Sequence, residues 1–119
     1  MKLLIVDDSS VVRRAIQRDL DSGDITEVDQ ASNGEEALRL YARKHHDVVT
    51  LDITMPEMDG LTCLDKIIEM NPSAKILIIS ALRDRATAIN AIKRGASGFL
   101  CKPMNPEELW EAFQLLIND

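Results

Sequence analysis

Val48–Gly60 reads VVTLDITMPEMDG, and this stretch decides the fold. A run of apolar and β-branched residues, Val48 to Leu51, leads directly into one acid, Asp52. Ile53, Thr54 and Met55-Pro56 follow, and then Asp59-Gly60. The pattern is that of a buried strand, 48–53, which delivers a single carboxylate to its C-terminal end and passes into a tight, proline-bounded loop. A charge at the tip of an apolar strand costs free energy unless something compensates it. The same form recurs on either side. Residues 2–7 (KLLIVD) make a buried strand that runs into Asp7-Asp8, residues 75–80 (KILIIS) one that ends on Ser80, and residues 98–101 (GFLC) a short one followed by Lys102-Pro103. Residues 26–31 (TEVDQA) alternate in character and read as a weaker, edge strand.

Helical spacing fills the intervals. Residues 9–21 carry Val12, Ala15, Ile16 and Leu20 on one face, with Ser9 or Ser10 placed to cap. Asn33 is the cap of the next helix, with Glu36 three residues on, and Ala37, Leu38, Tyr41 and Ala42 form its buried stripe. Its end is the basic run Arg43-Lys44-His45-His46, which suits the negative end of the helix dipole. Residues 60–70 present Leu61, Leu64, Ile67 and Ile68. Residues 84–94 turn Ala88, Ile89 and Ile92 inward before Gly95, and residues 106–117 present Leu109, Ala112, Phe113, Leu116 and Ile117. Trp110 flanks that last stripe, either covering the edge of the core or contacting a partner. Five strands alternating with five helices, several of the strands apolar throughout, predict an α/β domain: a parallel sheet covered on both faces.

Bulk properties narrow the function. A chain of 119 residues fits one domain, 1–119, without linker or repeat. The net charge of −6 argues against direct nucleic-acid binding and against an anionic membrane surface. No apolar run approaches the ~20 residues of a membrane span, and the run after Met1-Lys2 is too short for a signal peptide. Cys63 and Cys101 lack metal-ligand or disulfide spacing and read as reduced packing residues of a cytoplasmic protein.

The polar residues at the strand ends carry the chemistry. In an open parallel sheet, ligands bind beyond the C-terminal strand ends, where the strand order reverses. If the first and third strands flank that point, Asp7, Asp8 and Asp52 converge there. Like charges ~4 Å apart repel by roughly 4 kcal/mol at an effective dielectric near 20. Raised pKa values or a bound cation would relieve this, and an all-oxygen site suits magnesium. Ser80 and Lys102, a hydroxyl and an ammonium at neighbouring strand ends, would cradle the oxygens of a phosphoryl group attacked by the Asp52 carboxylate. Taken singly, each of these residues is an ordinary turn, loop or solvated side chain; their placement at successive strand ends is what points to phosphoryl transfer.

Together these motifs resemble the receiver domains of two-component response regulators: LLIVDDS around Asp7-Asp8, LDITMPEMDG around Asp52, ILIISA around Ser80, and Lys102-Pro103. The wording around Asp52 is most similar to stand-alone chemotaxis receivers. The resemblance implies a flavodoxin-like (βα)5 three-layer sandwich with strand order 2-1-3-4-5. It implies phosphorylation of Asp52 by a sensor histidine kinase, with Mg2+ (or Mn2+ in its place) held by Asp7, Asp8, Asp52 and the backbone carbonyl of Thr54. Ser80 and Lys102 would bind the phosphoryl oxygens, Lys102-Pro103 would be a cis peptide, and Phe99 would be the switch aromatic that moves with Ser80. Partner binding would then change on the face of the fourth helix, fifth strand and fifth helix. Chemotaxis receivers that bind the flagellar motor switch often carry tyrosine where this chain has Phe99, so the effector stays open. The chain is expected to be a monomer, with dimerisation on phosphorylation left open, and to be a switch that catalyses only its own phosphorylation and dephosphorylation. Thr54 and Leu82 occupy the positions that tune phosphoryl lifetime; neither is an acid or amide, which implies slow to moderate self-hydrolysis. The alternatives are a receiver excised from a larger regulator and, more distantly, an aspartate-nucleophile phosphatase. Such phosphatases want an acid two residues after the nucleophile, where this chain has Thr54.

Overall fold

The apolar runs form the strands that their composition predicts. In the computed structural model, which describes residues 1–118, the elements are β1 (Lys2–Val6), α1 (Ser10–Asp19), β2 (Glu27–Ala31), α2 (Gly34–Lys44), β3 (Val48–Leu51), α3 (Gly60–Met70), β4 (Ile76–Ser80), α4 (Arg85–Lys93), β5 (Gly98–Cys101) and α5 (Pro106–Ile117). All four strand pairings are parallel, and the order is β2-β1-β3-β4-β5. This is the three-layer architecture and strand order that the resemblance implies.

Because successive strand residues point to opposite faces, the sheet divides the core in two. Leu4, Val6, Val49, Leu51, Ile76 and Ile78 pack with Tyr41 of α2, Leu64 and Ile67 of α3 and Ala91 of α4. Leu3, Ile5, Val48, Leu77 and Ile79 pack with Ile16 and Leu20 of α1 and with Leu109, Phe113 and Leu116 of α5. Every helix starts on a side chain that accepts a backbone N–H three residues on: Ser9, Asn33, Asp59, Asp84 and Asn105. Such caps satisfy N–H groups that the helix itself leaves unpaired. Glu36 also reaches back, to the Ser32 N–H at 2.9 Å.

Three expectations need correction. On α4, Ile89 and Ile92 are 47% and 48% exposed, and the buried contact is Ala91. The periodicity of α4 allows either stripe. The edge strand beneath is only four half-buried residues long, so small side chains let the helix lie close while the isoleucines face out. On α2, Ala37 and Tyr41 are buried but Ala42 is exposed. The histidine pair is not a helical charge cluster: the helix ends at Lys44, His45 is its left-handed cap at φ 45°, and His46 is buried. Its Nε2 lies 2.7 Å from Asp29 Oδ2, which also accepts from Lys44 at 3.0 Å. The bond from His46, more than the Lys44 ammonium, holds the Asp29 carboxyl below the usual carboxylate range against the opposing effect of burial.

Candidate functional site

β1 and β3 are adjacent, and the chain leaves them in opposite directions across the sheet: β2 lies outside β1, and β4 and β5 lie outside β3. That makes their C-terminal ends the switch point at which such sheets bind ligands. The strands stop at Val6 and Leu51, but the ladder continues one residue further. The Asp7 N–H donates to the Ala31 carbonyl at 3.1 Å, and the Asp52 N–H donates to the Val6 carbonyl at 3.0 Å. Both acids are therefore fixed by their main chains as they leave the sheet.

One carboxylate oxygen from each of Asp7, Asp8 and Asp52 lies within 4.8 Å of the others. Asp7 and Asp52 are buried and Asp8 is exposed. Lys102 enters from the end of β5, with its Nζ 2.8 Å from Asp7 Oδ2 and 3.5 Å from Asp52 Oδ2. Asp7 Oδ1 accepts the Ser9 N–H at 2.9 Å, and Asp52 Oδ1 accepts the Thr54 N–H at 3.3 Å. Burial pushes the Asp52 carboxyl above its ordinary range; the Lys102 charge opposes this and the Asp7 charge adds to it. Burial would lower the Lys102 ammonium, but its hydrogen bond to Asp7 and the charges of Asp52 and Asp7 outweigh that and hold it above its ordinary value.

These donors fit a divalent cation. They are hard carboxylate oxygens, two of them are withdrawn from water, and the ammonium already lodged between Asp7 and Asp52 shows that the cluster demands positive charge. Mg2+ is held by one or two carboxylates with several retained waters, and the exposed side at Asp8 leaves room for them.

Ser80 ends β4, in register with Cys101 of β5, and is fully buried. Its carbonyl accepts the Lys102 N–H at 2.8 Å, and its Oγ accepts the Leu82 N–H at 3.0 Å. The serine oxygen thus accepts from Leu82, and its hydroxyl proton has no acceptor among the described residues. Phe99 is not at the cluster. It lies opposite Ile78 in the β4–β5 register, half-buried against the core on the α4 side. Lys102-Pro103 is cis. Leu82 is 42% exposed just beyond Ser80. Cys63 is buried, and burial pushes its thiol up to about 12. That suits an inert packing residue.

Two features of the loop after Asp52 were not readable from residue type. Gly60 opens α3 against the backbone of Asp52 and Ile53, and its N–H donates to the Ile53 carbonyl at 2.7 Å. A Cβ there would stand 2.1 Å from the Asp52 carbonyl oxygen, so close approach rather than turn geometry requires the glycine. Glu57 has φ 69° at the centre of a three-residue turn closed by the Met58 N–H on the Pro56 carbonyl at 2.8 Å. That conformation is uncommon for a residue with a side chain.

Residues 3–114 match the family model "Response regulator receiver domain". The chain is 43% identical to the chemotaxis protein CheY of Listeria monocytogenes over 114 residues, covering 96% of each chain. It is 38% identical to CheY of Bacillus subtilis, covering 98% of each. It is also 38% identical to the nitrate/nitrite response regulator NarL of Escherichia coli, where the match covers 92% of this chain and 51% of NarL. Among solved structures, CheY of Borrelia burgdorferi in a complex with CheX, BeF3 and Mg2+ superposes with a TM-score of 0.94 at 34% identity, covering 98% of this chain and 89% of that one. The carboxylate cluster at the switch point, the strand order and these likenesses agree: the chain belongs to the response regulator receiver domain family, among its CheY-like, chemotaxis-type members.

Proposed function

We propose that Asp52 accepts a phosphoryl group from a phosphohistidine of a sensor kinase and that the whole chain, 1–119, works as one receiver domain switched by it. The observation that carries this reading is the meeting of Asp7, Asp8 and Asp52 at the switch point, with the Lys102 ammonium against Asp7 and Asp52. Asp52 is a buried acid whose N–H is held by the Val6 carbonyl and whose neighbour Ile53 is held by the Gly60 N–H, so its carboxylate is held as an oriented nucleophile. A carboxylate oxygen forms the new O–P bond while the P–N bond breaks and its electron pair returns to the imidazole. Lys102 donates to the transferring oxygens and offsets their charge, and the Ser80 hydroxyl donates to a second oxygen. Asp7, Asp8, Asp52 and the Thr54 carbonyl would hold Mg2+, or Mn2+ in its place, which supplies charge neutralisation at the phosphoryl group when bound. The Borrelia relative was solved together with BeF3 and Mg2+, which supports a cation as part of this reading.

The protein is then a signalling switch that catalyses only its own phosphorylation and dephosphorylation. Movement of Ser80 toward the phosphoryl group frees space for Phe99 to turn inward. That re-forms the surface of α4, β5 and α5, where Ile89, Ile92 and Trp110 are exposed, and where an effector such as a flagellar motor switch protein would bind. No helix among the described residues is long and apolar enough to cross a membrane, which agrees with work in the cytoplasm beside the kinase domain.

The test is incubation with acetyl phosphate and Mg2+. A mass gain of about 80 Da that needs the cation supports phosphoryl acceptance, and no gain at any Mg2+ concentration contradicts it. Leu82 sets the lifetime of the adduct. Its side chain cannot orient water, and Leu82→Glu should speed hydrolysis by placing a carboxylate able to orient water beside the site. An unchanged decay rate, followed by loss of the mass shift after acetyl phosphate is removed, would count against this role.

A further inference from the structure

Arg13 lies on the second turn of α1 and takes no part in the acidic cluster, yet its side chain turns back toward the end of β1. Its Nη1 donates to the main-chain carbonyl of Asp7 at 2.6 Å, and its Nε donates to Gln30 Oε1 on β2 at 3.0 Å. Gln30 is itself oriented, since its Nε2 donates to Gln17 Oε1 at 2.6 Å. A polar chain therefore runs from α1 through the edge strand to one carbonyl oxygen. That carbonyl belongs to the peptide joining Asp7 to Asp8.

We infer that Arg13 is a positioning residue for the divalent-cation site, fixing the Asp7–Asp8 peptide so that both carboxylates face Asp52. The inference rests on reading the cluster as that site. Asp7 and Asp8 differ in how they are held. The Asp7 carboxylate is pinned by Ser9 and Lys102. The Asp8 carboxylate is exposed and makes no hydrogen bond among the described residues, so only its main chain sets its place. The peptide that Arg13 grips is the last rigid unit before that side chain. A guanidinium suits the task because its planar fork reaches two acceptors at fixed angles, and a hydrogen bond from a charged donor is stronger than a neutral one. Gln30 fixes the roll of the fork, and Gln17 fixes Gln30.

The sign of the effect separates positioning from plain electrostatics. By charge alone, a cation this near the acids repels Mg2+, and removing it would tighten binding. By positioning, removing it loosens binding. Isothermal titration with Mg2+ on the full chain reads this directly. Arg13→Met should raise the Mg2+ Kd about 10-fold, the lower end of what partners behind metal ligands contribute. Arg13→Lys should also weaken binding, although it keeps the charge, because the fork is gone. Gln30→Met should weaken it in the same direction by less. In the acetyl phosphate assay, the Mg2+ concentration for half-maximal labelling should rise in parallel, and the lost rate should return as Mg2+ is raised. Tighter or unchanged Mg2+ binding in Arg13→Met overturns the inference. If that variant does not fold, unchanged binding in Gln30→Met, at a half-buried edge-strand position, overturns it equally. A parent chain that binds Mg2+ normally while all the variants match it defeats the role of Arg13 alone. A parent chain that binds no Mg2+ defeats the reading of the cluster.

Discussion

Gly60→Ala is expected to destabilise the chain by about 3 kcal/mol or more, the upper range for forcing a group into packed space. The new Cβ would meet the Asp52 carbonyl oxygen at 2.1 Å and the Ile53 Cα at 2.5 Å. Both are backbone atoms, so no rotamer change relieves the clash. Either α3 moves off the sheet, breaking the 2.7 Å bond from Gly60 N–H to the Ile53 carbonyl, or the strand end carrying Asp52 moves. At 4–8 °C per kcal/mol for a domain of roughly this size, the melting temperature should fall by roughly 12–24 °C. Gly23→Ala is the control: nothing lies within 4 Å of a Cβ there, and its effect should stay within about 0.5 kcal/mol. Equal denaturation midpoints for Gly60→Ala and the parent would show that the approach of α3 to the Asp52 backbone is looser than described.

Asp52→Asn should make the metal-free chain more stable, on the order of 1 kcal/mol, because it removes one of three clustered negative charges while Lys102 keeps Asp7 as a partner. The pH dependence follows from the direction of the shift. Burial, with Asp7 adding, places the folded-state pKa of Asp52 above its ordinary value. The folded chain therefore holds that proton more tightly than the unfolded chain. The stability associated with it is complete below the ordinary carboxylate pKa and is lost as pH rises through the raised folded value. The advantage of Asp52→Asn should thus be absent in acid, grow across that window and be constant near neutrality. Mg2+ should reverse the order. A ligand at 100 times its Kd stabilises the folded state by about 2.7 kcal/mol, and the parent should gain this while the variant, lacking a carboxylate ligand, gains much less. Thermal melts of both chains with and without Mg2+ check the crossing. Parallel shifts in the two chains would mean that Asp52 does not bind the cation, and equal stability without Mg2+ that it does not strain the apo site.

Much of this was legible in the sequence because apolar runs and strand-end acids are local signals. Val48–Leu51 and Lys2–Val6 declare buried strands, and Asn33 and Ser9 declare helix starts, within a few residues. The strand order is a different matter. Nothing in the residues alone says that β1 sits between β2 and β3, and it was available only through the resemblance of the motifs to receiver domains. What stayed hidden depends on contacts distant in sequence. Ile89 and Ile92 share a helical stripe, yet how α4 rolls on the sheet is decided by how little surface β5 offers. His46 reads as part of the basic end of the second helix, and only Asp29, seventeen residues earlier, gives it a partner. Arg13 gives no signal of its own in the sequence. Its bond to Asp7 requires α1 to fold back along β1, and its bond to Gln30 requires the β1–β2 pairing. The acids themselves could be found from their strand ends, but the depth of Asp52 and the ammonium between it and Asp7 are products of the assembled sheet.

Asp52 is proposed as the residue that is phosphorylated. The direct measurement treats the chain with acetyl phosphate and Mg2+, reduces the acyl phosphate with borohydride, and locates the resulting homoserine by tandem mass spectrometry of the peptide spanning Val48–Gly60. Conversion is expected at position 52 alone, and its loss in Asp52→Asn. Conversion at Asp7, Asp8 or any other acid of the parent chain, or an adduct of about 80 Da that survives in Asp52→Asn, would contradict it.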